Sequence, residues 1–121
     1  MQIAYWIIAA LLAVFYAYAG ALKILRSQEQ LQPMMAWAGT HVPMPVVRFI
    51  GTVEVLGALG LVLPPLTGVA VELAMAAALG LTVLQVMAMG VHLRRGERQE
   101  SGMNVALIVL AAAATWLATS L

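Results

Sequence analysis

Charged and hydrogen-bonding side chains are rare in this chain, and those that interrupt its apolar stretches are the candidates for chemistry. Charged residues make up 9% of the 121 residues, whereas hydrophobic residues make up 64%. An ionisable group in the middle of a membrane-spanning helix costs at least about 2.5–3.5 kcal/mol on insertion scales, so each such group is a functional candidate. The candidate buried polar site consists of Glu54, Tyr16, Lys23, Arg48, Gln85 and His92.

Glu54 is the clearest candidate because it lies in the middle of an apolar stretch. It follows Pro45 by about nine residues, and a rise of about 1.5 Å per residue places it near the bilayer centre. At that depth the carboxyl must face the interior of a helix bundle. Gly51 and Ala58 share its helical face and allow another helix to approach closely. Two roles for the Glu54 carboxyl are equally compatible with this pattern: it either links two helices by a polar contact or binds a proton or a ligand.

Two basic candidates lie near the ends of the first two apolar stretches. Lys23 shares a helical face with Tyr16 and is close enough to the helix end to extend its ammonium group to the membrane surface. An ion pair between Lys23 and Glu54 would require the two helices to be offset. Arg48 lies at a similar depth, on a different side of its helix from Glu54, and is expected to bind a lipid phosphate or another anion.

Two further candidates lie on the third apolar stretch. Gln85 is expected to bridge helices by hydrogen bonds. His92 lies at the membrane boundary, where it either passes protons or is simply hydrated. The chain contains no cysteine, and its two histidines, His41 and His92, are expected on the same side of the membrane. The spacing therefore supports no metal site and no haem site.

The elements that position these groups are helices. A membrane-spanning helix needs about 20 mainly apolar residues. The stretches that meet this requirement lie at about 3–25, 46–63, 66–91 and 103–121. Pro64 and Pro65 predict a tight turn between the second and third helices. The expected fold class is all-α, a four-helix transmembrane bundle that forms a single integral membrane domain over residues 1–121.

The connection between the first two helices has a structure of its own. Ser27 and Gln30 have the spacing of a capping box, and Leu31, Met34 and Met35 follow on one apolar face. This pattern predicts a short amphipathic helix in the membrane interface that ends around residue 39. The alternative is a segment that covers the end of the bundle.

Every basic residue lies in or beside two connections that four helices place on the same side of the membrane. Because Lys and Arg are concentrated in cytoplasmic loops, we expect both connections in the cytoplasm and both termini outside. The chain is too poor in basic residues to form the surface that nucleic acid requires. The six Lys and Arg are Lys23, Arg26 and Arg48 around the first connection and Arg94, Arg95 and Arg98 in the third.

The order of these features resembles the DoxX-like family of small four-helix membrane proteins, over nearly the whole chain. The resemblance marks Lys23, Arg48, Glu54 and His92 as site residues, and it implies a bacterial cytoplasmic membrane, that is, the cell inner membrane. Glu72 matches nothing in the family pattern. The segments that carry the resemblance are 19–23 (AGALK), 48–51 (RFIG), 54–61 (EVLGALGL) followed by Pro64, 77–78 (AA) and 92–97 (HLRRGE).

The resemblance implies a non-catalytic subunit or organiser of a quinone-linked redox or detoxification system. No cofactor is evident from the residues themselves. The resemblance implies a quinone as the ligand, and membrane lipid and a redox protein complex as partners. Two alternatives stay open: a small proton-coupled exporter that uses Glu54, and a membrane enzyme that acts on a lipophilic substrate with Glu54 and His92 as acid and base. A stripe of small residues, Ala13, Ala17 and Ala21, predicts a homo-oligomer.

Overall fold

The structure of the protein is a computed structural model that describes residues 2–40, 42–96 and 101–121. His41 and Arg98, which entered the sequence predictions on metal binding and on orientation, lie outside the described residues. Within the described residues the chain forms five helices. They are α1 (Gln2–Leu25), α2 (Gln28–Leu31), α3 (Met44–Thr67), α4 (Glu72–Arg94) and α5 (Ser101–Ala118).

The long helices have the length and the apolar character of membrane spans. Among the described helices, α1, α3 and α4 are long and apolar enough to cross a membrane. The shorter α5 has 18 residues, and a rise of about 1.5 Å per residue gives it a length of about 27 Å. The hydrocarbon core of a bilayer is about 30 Å thick. The all-helical bundle expected from the sequence is confirmed, and the protein is a membrane protein.

The long helices form a ring in the order α1, α3, α4, α5. Helix α1 packs against α3 and α5, and α4 packs against the same two neighbours. The interior of the ring holds buried side chains such as Leu12, Leu61 and Leu81, together with alanines from α4 and α5. Large apolar side chains also cover the outer faces, for example Val14 on α1 and Phe49 on α3. A soluble protein rarely exposes so much apolar surface, whereas lipid would cover it.

Two glycines allow the close contact between α1 and α3. A Cβ at Gly20 would lie 2.6 Å from the carbonyl oxygen of Gly51, and a Cβ at Gly51 would lie 2.7 Å from the carbonyl oxygen of Gly20. Neither position can therefore hold a side chain while the backbones stay at this distance. The small face around Glu54 that the sequence predicts is thus in contact with another helix.

The tight turn predicted at Pro64 and Pro65 is wrong, because α3 continues through both prolines to Thr67. The turn comes after it, where Gly68 adopts a left-handed conformation with φ of 73°. Proline has no N–H, so Pro65 cannot donate to the carbonyl four residues earlier in the helix. That carbonyl belongs to Leu61, and the hydroxyl of Tyr5 donates to it at 2.6 Å. A side chain of α1 thus replaces the hydrogen bond that the proline removes.

The connection between α1 and α3 contains the predicted capping box but only one helical turn. Ser27 accepts from the backbone of Gln30, and the Gln30 side chain accepts from the backbone of Ser27. The helix expected to continue to residue 39 ends at Leu31, because Pro33 has no N–H to extend the ladder of hydrogen bonds. Residues 32–40, hereafter the cap segment, pack against the neighbouring ends of α1 and α3. A location in the membrane interface stays a prediction.

Candidate functional site

A cavity of about 540 Å³ lies among α1, α3, α4 and α5, next to the cap segment. Most of its wall is apolar, which is typical of sites for small lipophilic molecules. A more open depression of about 640 Å³ on the outer surface of α1 is lined by aliphatic and aromatic side chains. Ionisable groups and buried amides line the former cavity, which makes it the candidate site. Its polar lining consists of Lys23, Glu54, Gln85, His92 and Asn104.

Lys23 and Glu54 form a buried ion pair in this cavity. The Lys23 ammonium donates to the Glu54 carboxylate, with a distance of 2.6 Å between Nζ and Oε1. The Lys23 and Glu54 side chains are 9% and 5% exposed. The predicted extension of Lys23 to the membrane surface is therefore wrong. The reason lies at Gly51, where a Cβ would come within 2.7 Å of the Lys23 Cβ. The missing side chain leaves room for the lysine stem to cross α3 and reach the carboxylate one turn away.

The cap segment contacts this ion pair through an aromatic side chain. The Lys23 Nζ lies 5.8 Å from the centroid of the Trp37 ring, within the range of a cation–π interaction. The Trp37 ring also contacts His92 of α4 in an edge-to-face arrangement, with 6.4 Å between the ring centroids. Trp37 therefore connects α1 to α4 at the end of the cavity that the cap segment covers.

A chain of hydrogen bonds joins α1, α4 and α5 beside the ion pair. The Tyr16 hydroxyl donates to Gln85 Oε1 at 2.7 Å, and Gln85 Nε2 donates to Asn104 Oδ1 at 2.6 Å. Gln85 thus bridges helices by hydrogen bonds, as its position in the sequence predicts. Tyr16 lies behind it and does not reach the cavity wall.

The chain of hydrogen bonds ends in an unsatisfied donor. Asn104 is 3% exposed, and its Nδ2 has no acceptor among the residues that the structure describes. An amide donor buried in this way costs about 1–3 kcal/mol, which makes each such group a feature that needs an explanation. Asn104 belongs to the residues that line the cavity, so the unpaired donor lies beside it.

Arg48 does not line the cavity, and its side chain binds backbone carbonyls of the protein; a lipid phosphate or another anion as its ligand stays a prediction. Its Nη1 donates to the carbonyl oxygen of Lys23 at 2.6 Å and to that of Arg26. These carbonyls belong to the last turn of α1 and the residue after it, where helical carbonyls lack intrahelical partners. Arg48 therefore caps α1 from α3 and holds the backbone that carries the Lys23 ammonium.

Several of the sequence-predicted site residues come together, and two cavity residues were missed. Tyr16, Lys23, Glu54, Gln85 and His92 belong to one connected region, whereas Arg48 lies outside the cavity. The missed residues are Trp37 and Asn104. An amide within an apolar stretch is a signal that could have identified Asn104. Within residues 2–40, 42–96 and 101–121, no group of three or more His, Cys, Asp or Glu could hold a metal.

The family of the chain follows from a comparison with protein-family models. The model described as the DoxX-like family matches residues 7–114, which is most of the chain. The chain therefore belongs to the DoxX-like family, and the resemblance found in the sequence is confirmed. Neither the curated proteins nor the solved structures gave a match.

Proposed function

We propose that this DoxX-like membrane protein is a non-catalytic subunit or organiser of a quinone-linked redox system, and that its cavity binds the quinone. The observation that carries the proposal is the unsatisfied Asn104 amide in the wall of a largely apolar cavity of about 540 Å³. Pockets of about 300–1,000 Å³ with apolar walls and a few polar groups are typical of small-molecule sites.

The polar groups in the wall match the chemistry of a quinone head. A quinone carries carbonyl oxygens, which accept hydrogen bonds, on an otherwise apolar ring. Asn104 Nδ2 is one donor for such a carbonyl. The Lys23 ammonium is a second donor, because it carries three hydrogens and donates one of them to Glu54. Donors from α1 and α5 therefore line the same cavity, and we expect both to contribute to binding a polar head.

The ion pair favours binding over catalysis. Both alternatives, the proton-coupled exporter and the enzyme acting on a lipophilic substrate, require Glu54 to exchange a proton with the transported molecule or the substrate. The carboxylate instead accepts from Lys23 at 2.6 Å, and this contact would have to break in each cycle. Removing one partner of a buried pair costs about 3–5 kcal/mol, because the other charge is left without a counter-ion. Glu54 is therefore better suited to hold Lys23 in place than to transfer protons.

The cellular setting is part of the same proposal. The concentration of all six Lys and Arg around two connections supports cytoplasmic basic loops and external termini in a bacterial inner membrane. Apolar outer faces support contact with lipid and a complex with a redox protein or with a second copy of the chain. In such a complex the protein would hold the quinone, and the partner would transfer electrons to or from it.

The test is the retention of quinone by the purified protein. The wild-type protein is purified in mild detergent and extracted with organic solvent, and the extract is analysed by mass spectrometry and ultraviolet absorption. We expect stoichiometric quinone in the wild-type extract and a loss of about tenfold or more for Asn104→Leu, because a lost hydrogen bond of about 1.4 kcal/mol changes affinity tenfold.

Thr115→Val is the matched control for Asn104→Leu. Thr115 is a half-buried residue of the same helix whose hydroxyl donates to the Ala111 carbonyl, and it does not line the cavity. This control should retain quinone as the wild-type protein does. A wild-type extract without quinone, together with no binding of added quinone, would contradict the proposal. Co-transport of protons with an exported compound would support the exporter instead.

A further inference from the structure

Helices α3 and α4 touch at one end and diverge at the other. Near the turn that joins them, a Cβ at Gly57 would lie 2.8 Å from Leu81 Cδ2, and a Cβ at Gly60 would lie 2.9 Å from the Ala77 Cβ. In the other half of the pair, the side of α3 that faces α4 lines the cavity instead of packing against its neighbour. The two helices therefore form a wedge that opens away from the turn.

The open side of this wedge is a mouth of the cavity. Its residues line the cavity and are also exposed on the outer surface of the bundle. Along α4 they extend over about seven residues, from Gly80 to Met87, which corresponds to about 10 Å at 1.5 Å per residue. All of them are apolar, and they belong to helices that have the character of membrane spans. We call this mouth the portal; its residues are Val46, Phe49, Gly80, Val83 and Met87.

We infer that the portal holds the apolar tail of the cavity's ligand, so that the ligand is a tailed quinone that enters from the lipid between α3 and α4. The inference rests on the proposed function and extends it from the quinone head to the tail. The head lies at the donors of Lys23 and Asn104, which are buried, and the tail extends through the portal into the bilayer.

The apolar lining of the portal and the buried donors behind it favour a tailed quinone as the ligand. A hydrated molecule gains no hydrogen bonds along an apolar opening and would lose those it makes with water. An alkyl or isoprenoid chain loses nothing there, because the portal and the surrounding lipid are both apolar. The buried donors exclude a purely aliphatic molecule as the best ligand, since it would leave the Asn104 amide unpaired.

Two glycines of α4 provide a matched test. Gly80 and Gly90 are both exposed, and a Cβ at either position meets nothing within 4 Å. Gly80 lines the cavity at the portal, whereas Gly90 does not. Replacing either glycine by Trp removes a residue unfavourable to helices, so both variants should fold. Gly80→Trp narrows the portal, and Gly90→Trp adds the same side chain about 15 Å further along α4, at a residue that does not line the cavity.

The binding assay compares a benzoquinone that carries a decyl chain with the same benzoquinone without it. The wild-type protein should bind the tailed quinone more tightly. Gly80→Trp should weaken binding of the tailed quinone by about tenfold, a loss of about 1.4 kcal/mol, and leave binding of the tailless quinone unchanged. Gly90→Trp should bind both as the wild-type protein does.

A second pair of variants repeats the comparison with side chains of equal exposure. Val83 at the portal and Val86, which does not line the cavity, are both 53% exposed. Val83→Trp, but not Val86→Trp, should reproduce the effect of Gly80→Trp. The portal is refuted if the wild-type protein binds both quinones and the portal variants weaken both equally or neither. If the wild-type protein binds neither quinone, the proposed function itself fails.

Discussion

Removing the Glu54 carboxylate should destabilise the protein, and removing Lys23 as well should restore most of the stability. The two side chains are 9% and 5% exposed and their charged atoms are 2.6 Å apart. Glu54→Leu therefore leaves a buried ammonium without a counter-ion, which costs about 3–5 kcal/mol. Replacing both partners with apolar residues of similar volume is often close to neutral. The double variant Lys23→Met with Glu54→Leu should thus unfold nearly as the wild-type protein does.

The assay is unfolding in mixed micelles by increasing SDS, followed by circular dichroism, for the wild type, both single variants and the double variant. The four unfolding free energies form a double-mutant cycle that isolates the interaction between the two side chains. Glu72→Leu is the control, because Glu72 is exposed at the start of α4 and surface substitutions usually change stability by less than about 0.5 kcal/mol. A double variant as unstable as Glu54→Leu would refute the reasoning, and so would a Glu54→Leu protein as stable as the wild type.

Two further substitutions test how the helices are held together. Tyr5→Phe should lower the unfolding free energy by about 1–3 kcal/mol, because the carbonyl that Pro65 leaves without a helical donor then becomes an unsatisfied acceptor. In a protein that also carries Pro65→Ala, Tyr5→Phe should lower it by less. An equal loss with and without Pro65→Ala would contradict this explanation. Gly51→Ala should lower the unfolding temperature of the protein, because the new Cβ would lie 2.7 Å from the carbonyl oxygen of Gly20. The control variant Gly90→Ala should be neutral or slightly stabilising. Equal unfolding temperatures for the two variants would contradict the close contact between α1 and α3.

The sequence is sufficient to predict the helices and the face around Glu54, because both follow from local pattern. A run of about 20 apolar residues specifies a span wherever it occurs. The small residues beside Glu54 specify close packing whichever helix makes the contact. The ends of elements are harder to predict. Pro64 and Pro65 would break a helix in an isolated peptide. Here the Tyr5 hydroxyl donates to the Leu61 carbonyl, 56 residues away in sequence, and so replaces the helical hydrogen bond that Pro65 removes.

The partners within the site depend on how the helices are offset, which no single segment specifies. Lys23 could extend to the surface or turn inward, and the choice depends on the room that Gly51 leaves on a different helix. The unpaired donor of Asn104 also depends on another helix. Gln85 donates to the Asn104 side-chain oxygen, and the Asn104 side-chain nitrogen is left without an acceptor among the described residues. Arg48 likewise finds its acceptors at the end of α1. Such relations appear only once the ring of helices is assembled.

The most direct measurement is the quenching of Trp37 fluorescence by quinone, because Trp37 lines the cavity and quinones quench indole emission on contact. The chain has three tryptophans, so two double variants isolate one reporter each. Trp37 is the reporter in the variant with Trp6→Phe and Trp116→Phe. Trp116, which is 64% exposed on the outer surface, is the control reporter in the variant with Trp6→Phe and Trp37→Phe. The proposed function predicts saturable quenching of Trp37, weakened about tenfold by Asn104→Leu, and unsaturable quenching of Trp116. Quenching of Trp37 that rises linearly, as for Trp116, would contradict a quinone in the cavity.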